Sequence, residues 1–285
     1  MTKLKSIIAI IAVLIASAVV TACAGGSNGS GDSRTYSPEH TDAAETGSTA
    51  AQATPAPEIT TAVETAAPEG VTSGAEQKFT VVIDAGHQQK GNSEKEPVGP
   101  GAAEMKAKVA SGTSGCVSGL NEYELTLQVA LKLQKELESR GYNVIMIRTS
   151  NNVDISNAER AVIANDAGAD AFVRIHANGS EDPSVNGALT ICQTPDNIYN
   201  GGLYSESRKL ASFILDEMVS STGCKKQYIM ETDGMSGINW AQVPVTIVEM
   251  GYMTNPEEDQ KMATEDYQTK IAAGIANGID KFAGR

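Results

Sequence analysis

The chain has 285 residues, 41% of them hydrophobic and only 5% aromatic, enough for one large domain or two small ones. Its formal net charge is −13 and its pI is near 4.7. That balance excludes nucleic acid as a partner, because no basic surplus exists to displace phosphate counterions, and it excludes membrane attachment through a polybasic surface.

The first 22 residues carry Lys3 and Lys5, then the apolar stretch from Ile7 to Val20, then small residues. A positive start, a short apolar core and a small-residue cut site describe an export signal over 1–22 rather than a spanning helix. Val20-Thr21-Ala22-Cys23 resembles the lipobox of bacterial lipoproteins. The resemblance implies that the leader is removed, that Cys23 is lipidated, and that the chain is held outside the cytoplasm by that lipid. Residues 23–77 are then Ser, Thr, Gly, Ala, Pro and Glu, with Tyr36 as the sole aromatic residue. They cannot bury enough apolar surface to offset their ordering entropy, so the segment is predicted to be a disordered tether. Three cysteines follow, Cys116, Cys192 and Cys224, none at C-x-x-C spacing, and they are read as packing residues.

From Lys78 to Arg285 strands and helices alternate. Phe79 to Asp84 is a short β-branched run of the kind that forms a buried strand. Residues 85–120 are rich in Gly, Ser and Lys without a period, and read as a long functional or mobile loop. Asn121 to Arg140 is the clearest helix, with Glu124 three residues after its Asn121 cap and Gly141 as its stop. A strand over Asn143 to Arg148 precedes a helix from Ser156 to Ala167, where Ser156 and Glu159 repeat the capping-box spacing. Strands over Ala171 to Ile175, Ala188 to Cys192 and Pro244 to Val248, and helices over Tyr204 to Ser220, Glu257 to Ala263 and Gln268 to Phe282, complete the chain. This alternation predicts a three-layer α/β domain with a central, mostly parallel sheet flanked by helices.

In such sheets sites gather beyond the C-terminal ends of strands. His87, His176 and Glu249 all fall at such ends, and His87 and His176 are the only histidines of residues 78–285. Either histidine alone would read as a satisfied polar residue, but two in the same situation point to a metal, since neutral imidazole is the commonest protein ligand of zinc. A catalytic zinc needs a third protein ligand, and Glu122 and Glu124 at the start of the long helix both qualify; their spacing does not choose between them. Gly112-Thr113-Ser114-Gly115 and Gly234-Met235-Ser236-Gly237 do not form a G-x-S-x-G elbow, which argues against a serine hydrolase, and the absence of H-E-x-x-H excludes a zincin.

VVIDAGH at 81–87, NEYELTLQVALKLQKEL at 121–137, FVRIHAN at 172–178 and VPVTIVEMGYMTNPEED at 243–259 resemble, in order, the motifs of the zinc-dependent N-acetylmuramoyl-L-alanine amidases with a phosphorylase/hydrolase-like fold. The resemblance covers essentially all of 78–285. It implies one zinc ion held by His87, Glu122 and His176, with Glu249 as the catalytic general base, and peptidoglycan as the substrate. It thereby selects Glu122 over Glu124. Asp84 could hydrogen-bond a liganding histidine, and Asn178 could orient a ligand or touch substrate. Ala85, Gln88, Gln89, Tyr123 and Arg174 depart from the family pattern, and Gln88 and Arg174 beside the metal would alter what binds. The competing expectations are a zinc carboxypeptidase acting on stem peptides and a catalytically silent wall-binding lipoprotein. The domain is expected to be monomeric, and the 88–120 segment leaves room for a lid or an activator protein.

Overall fold

A computed structural model describes residues 78–285. The leader, Cys23 and the tether expected over 1–77 lie outside the described residues. Eight strands and six helices form in the order β1 (Thr80–Ala85), β2 (Asn92–Pro97), β3 (Met105–Val109), α1 (Glu122–Ser139), β4 (Asn143–Met146), α2 (Asn157–Asp166), β5 (Ala171–Asn178), β6 (Ala188–Cys192), α3 (Tyr204–Thr222), β7 (Lys226–Glu231), α4 (Ser236–Asn239), β8 (Val245–Tyr252), α5 (Pro256–Met262) and α6 (Glu265–Phe282). The main sheet runs β4-β1-β5-β8-β6-β7. β4, β1, β5 and β8 are parallel; β6 turns antiparallel against β8, and β7 follows β6. The sheet is therefore mostly parallel, as the alternation predicts, with a reversed pair at one edge.

The predicted capping signals close the helices they announce. Ser156 Oγ accepts from the Glu159 N–H at 3.2 Å while the Glu159 carboxylate accepts from the Ser156 N–H at 2.7 Å. Glu124 likewise accepts from the Asn121 N–H at 3.1 Å. Odd-numbered residues of β1 and β5 pack with Leu133, Leu137, Leu210, Ile214, Ile275 and Ile279 of α1, α3 and α6. Even-numbered residues of the same strands turn to the opposite layer, where Val82 and Phe172 meet Ala161, Ala164 and Ile238 of α2 and α4. Of the three cysteines, Cys192 is buried, Cys224 is half-buried and Cys116 is exposed, so the expectation of packing fails for Cys116.

α6 lies unusually close to α3. A Cβ on Gly278 would stand 2.5 Å from the Ile214 Cα, and one on Gly274 would stand 2.6 Å from the Met218 Cα. Alanine is the better helix former by about 0.8–1.0 kcal/mol, but the clash is with backbone, which cannot rotate away. Overpacking of this kind costs about 1–3 kcal/mol. Gly278→Ala is expected to lower the urea midpoint; a raised midpoint would show that the two helices separate freely.

The segment over 85–120 is not structureless. β2 and β3 form an antiparallel hairpin that docks on the α2 and α4 layer. Asn157 donates to the Lys108 carbonyl at 2.8 Å, Trp240 Nε1 to the Pro97 carbonyl at 2.9 Å and Asn239 to the Val98 carbonyl at 3.0 Å. The buried Glu96 carboxylate accepts from the Ala158 N–H at 3.1 Å, in the first turn of α2 where the helix dipole favours an anion.

Candidate functional site

Three elements bring three side chains to one point. His87 follows β1, Glu122 is the first residue of α1, and His176 lies near the end of β5. His87 Nε2 is 3.1 Å from Glu122 Oε1, His176 Nδ1 is 3.2 Å from the same oxygen, and the two ring nitrogens are 3.1 Å apart. The triangle fits one face of a tetrahedron around a small divalent ion, because bonds of 2.0–2.1 Å place ligand atoms about 3.3 Å apart. The two imidazoles keep 15% and 14% of their surface.

Close approach of backbone makes the cluster. A Cβ on Gly86 would fall 2.4 Å from the His176 ring, and the Gly86 N–H donates to the Ile175 carbonyl at 2.9 Å. Gly112 has φ +83 and faces Glu122 Oε2, which a Cβ would approach to 2.8 Å. His87 is the only non-glycine among the described residues with positive φ, at 61°. A left-handed L-residue costs roughly 1–2 kcal/mol, so this conformation persists only because its surroundings impose it. Part of that imposition is the hairpin's return: His87 Nδ1 donates to the Ala110 carbonyl at 2.8 Å, which leaves Nε2 free as a ligand atom. Glu122 is held too, its Oε2 accepting from the Thr113 N–H at 2.9 Å and its Oε1 from the Ala177 N–H at 3.0 Å.

Without a metal the triad carries its own charge balance. Burial alone would lower the His87 pKa, but the Glu122 carboxylate outweighs it and raises the value above the ordinary one. Burial alone would raise Glu122, but the His87 charge and hydrogen bonds from both rings hold it well below the usual carboxylate range. His176 is pushed down to about 4, chiefly by burial, and stays neutral. Two neutral-capable imidazoles and an ionised carboxylate suit a divalent cation.

Glu249 stands opposite His176 in the β5–β8 register. Its Oε2 is buried without a hydrogen-bond partner. Burial first, and the Glu122 charge second, push its pKa up to about 8. A carboxyl poised near neutrality beside a candidate metal point can accept and return a proton.

The other expected site residues are placed differently. The expected bond from Asp84 to a histidine is not made; its oxygens face Arg160 Nη1 at 2.6 Å and Arg174 Nε at 2.9 Å, in a buried layer two residues below His176 along β5. Arg174 is 3% exposed and also donates to Asn157 at 2.7 Å, so it is not turned towards a ligand. Gln88 is fully buried, its Oε1 accepting from the Ile155 N–H and from Arg160, which directs it at the start of α2 rather than at the triad. Asn178 is at the end of β5, its Oδ1 accepting from the Gly179 N–H at 2.8 Å. Sequence reasoning missed Ala110, whose contribution is a carbonyl and so has no residue signature. It also missed Arg148, just after β4, and Arg160, on a helix with several other polar residues, because nothing local marks either as buried.

Residues 81–281 match the protein family described as N-acetylmuramoyl-L-alanine amidase. The chain is 32% identical over 203 residues to the protein YqiI of Bacillus subtilis (strain 168), covering 71% of this chain and 84% of that one. It is 29% identical to the N-acetylmuramoyl-L-alanine amidase Rv3717 of Mycobacterium tuberculosis, covering 72% of this chain and 86% of that protein. Among solved structures it is similar to the N-acetylmuramyl-L-alanine amidase Ami1 of Mycobacterium smegmatis, with a TM-score of 0.65, 28% identity, and coverage of 72% of this chain and 97% of that one.

Proposed function

The chain belongs to the N-acetylmuramoyl-L-alanine amidase family, and from that premise we propose that it is a zinc-dependent peptidoglycan hydrolase in which Glu249 is the general base. The observation that carries the reading is the triangle of His87, Glu122 and His176 ligand atoms with a partnerless carboxylate on the neighbouring strand. Zinc held there by one carboxylate and two imidazoles would supply Lewis-acid polarisation of water and of the scissile carbonyl.

The protein's own groups account for the rest. Glu249 takes a proton from the attacking water, whose oxygen bonds to the lactyl carbonyl carbon of muramic acid. The carbon–nitrogen bond breaks, and Glu249 returns the proton to the departing L-alanine nitrogen. The products are a lactyl carboxylate on the glycan and a stem peptide with a free amine. Asn178, at the end of β5, is the proposed contact for substrate. The Val20-Thr21-Ala22-Cys23 tetrad supports anchoring outside the cytoplasm through lipidated Cys23, with residues 24–77 as the reach into the wall.

Digestion of purified peptidoglycan by the full chain, followed by mass spectrometry, tests the reading. Intact stem peptides beginning with L-alanine are expected. Stripping with a chelator should abolish their release, and zinc should restore it. Stems trimmed at internal bonds would instead establish a peptidase, and zinc binding without any cut a wall-binding protein.

A further inference from the structure

Arg148 follows β4 and is 3% exposed, yet all of its hydrogen bonds go to neutral oxygens. Burial first, and the charge of Arg160 second, lower its pKa only to about 10, so it remains a cation at neutral pH. A buried guanidinium without a carboxylate is a poor stabilising device, because its desolvation is not offset by a paired charge. Its geometry suggests another use. Nε donates to the Ala85 carbonyl at 2.8 Å, and Nη2 donates to the Gly86 carbonyl at 3.0 Å. The same Nη2 donates to the Tyr123 carbonyl at 2.8 Å and to Thr126 Oγ1 at 3.2 Å. Ala85 and Gly86 lead directly into His87; Tyr123 and Thr126 belong to the first turns of the helix that begins with Glu122.

Resting on the metal reading above, we infer that Arg148 is a positioning residue that spans the two elements carrying His87 and Glu122 and sets the distance between those ligands. Nη1 anchors the fan from behind, donating to the Ser150 carbonyl at 3.1 Å and to Asn151 Oδ1 at 2.9 Å. Arg160 completes the cage on the other side, donating to the Ala85 carbonyl at 3.0 Å and to the His87 carbonyl at 3.1 Å. Every carbonyl from Ala85 to His87 is thus held by a guanidinium, and these bonds act with the His87–Ala110 bond to hold the left-handed His87 backbone. A planar fork with several fixed donors can bridge in this way; a lysine ammonium cannot.

Removal of Arg148 is a clean test because its partners on the two ligand elements keep other donors. Ala85 retains Arg160, and Gly86 retains Thr126 Oγ1 at 2.8 Å. Tyr123 retains its helical partner. The full chain would be prepared as wild type, Arg148→Met and Arg148→Lys. Zinc affinity would be measured by competition with a chromogenic chelator, and thermal unfolding recorded on the metal-free proteins. Both variants are expected to bind zinc about 10–100-fold more weakly, as for other groups that orient metal ligands, while their metal-free melting temperatures stay within a few degrees of wild type. Unchanged affinity in Arg148→Met overturns the inference. So does full affinity in Arg148→Lys, which would assign the effect to charge alone, or collapse of metal-free Arg148→Met, which would make Arg148 a support of the whole fold. If wild type itself binds no zinc, the metal reading fails first and the positioning role goes with it.

Discussion

Glu249→Gln is expected to slow amide hydrolysis by about 10²–10⁴-fold while leaving zinc content unchanged. Glutamine keeps the shape and polarity of the side chain but cannot take a proton from water. The proposed ligand set does not include Glu249, so a loss of bound zinc in parallel with activity would show it to be a ligand and sink its assignment as base. A second effect has the opposite sign. Because burial and the Glu122 charge raise the Glu249 pKa to about 8, the folded metal-free protein holds that proton more tightly than the unfolded chain does. The group's contribution to stability is therefore full below its ordinary value of 4.5 and is lost as pH rises towards 8. Glutamine does not titrate. Thermal melts of the stripped proteins should show the mutant gaining on wild type as pH rises across that window, so that the change that removes activity also stabilises.

Asp84→Ala is expected to be the most damaging single change to the fold. It would strand Arg160 and Arg174, both buried, without the carboxylate that they share. Breaking one side of a buried ion pair costs about 3–5 kcal/mol, a large part of the roughly 5–15 kcal/mol that holds a domain together. At roughly 2–4 °C per kcal/mol for a domain of this size, the melting temperature should drop by on the order of 10 °C. A drop of only a degree or two would mean that water or neighbouring carbonyls compensate the arginines. Asp84 also predicts an acid limit. Although burial alone would raise its pKa, the two arginines hold it below the ordinary value of 3.8. Its stabilisation is thus complete above that value and is lost as pH falls below it.

Much of this was legible in the sequence because local signals and tertiary roles agreed. The Ser156–Glu159 and Asn121–Glu124 spacings, the β-branched run after Thr80, and the two histidines at strand ends each specify their own surroundings. The hairpin over Asn92–Val109 was not legible, because NSEKEP carries no apolar alternation and the five-residue alternation in MKAKV sits inside a Gly-, Ser- and Lys-rich stretch. Their pairing is fixed by docking on Asn157, Trp240 and Asn239, far away in the chain. The reversal of β6 was hidden for a related reason, since a buried strand reads the same in either direction. Asp84 and Arg174 were visible as charges inside strands, but only the register that sets them opposite each other shows that they belong to one ion-pair layer. Spacing alone left Glu122 and Glu124 level and only the family resemblance chose between them; the structure gives them separate duties, Glu124 capping the helix and Glu122 facing the histidines.

The reversed pair at the sheet edge divides the surface for an engineer. Because β6 runs against β8, with Leu189 opposite Glu249 and Ile191 opposite Ile247, β6 begins beside Glu249 and ends away from it. β7 does the same alongside β6. The turns that leave these strands, at 193–203 and 232–235, therefore open on the far rim of the molecule, whereas those leaving β1, β5 and β8 open on the working rim. A fused label, a second binding module or a surface-immobilisation tag belongs in the first group, where it would hang clear of an incoming glycan strand.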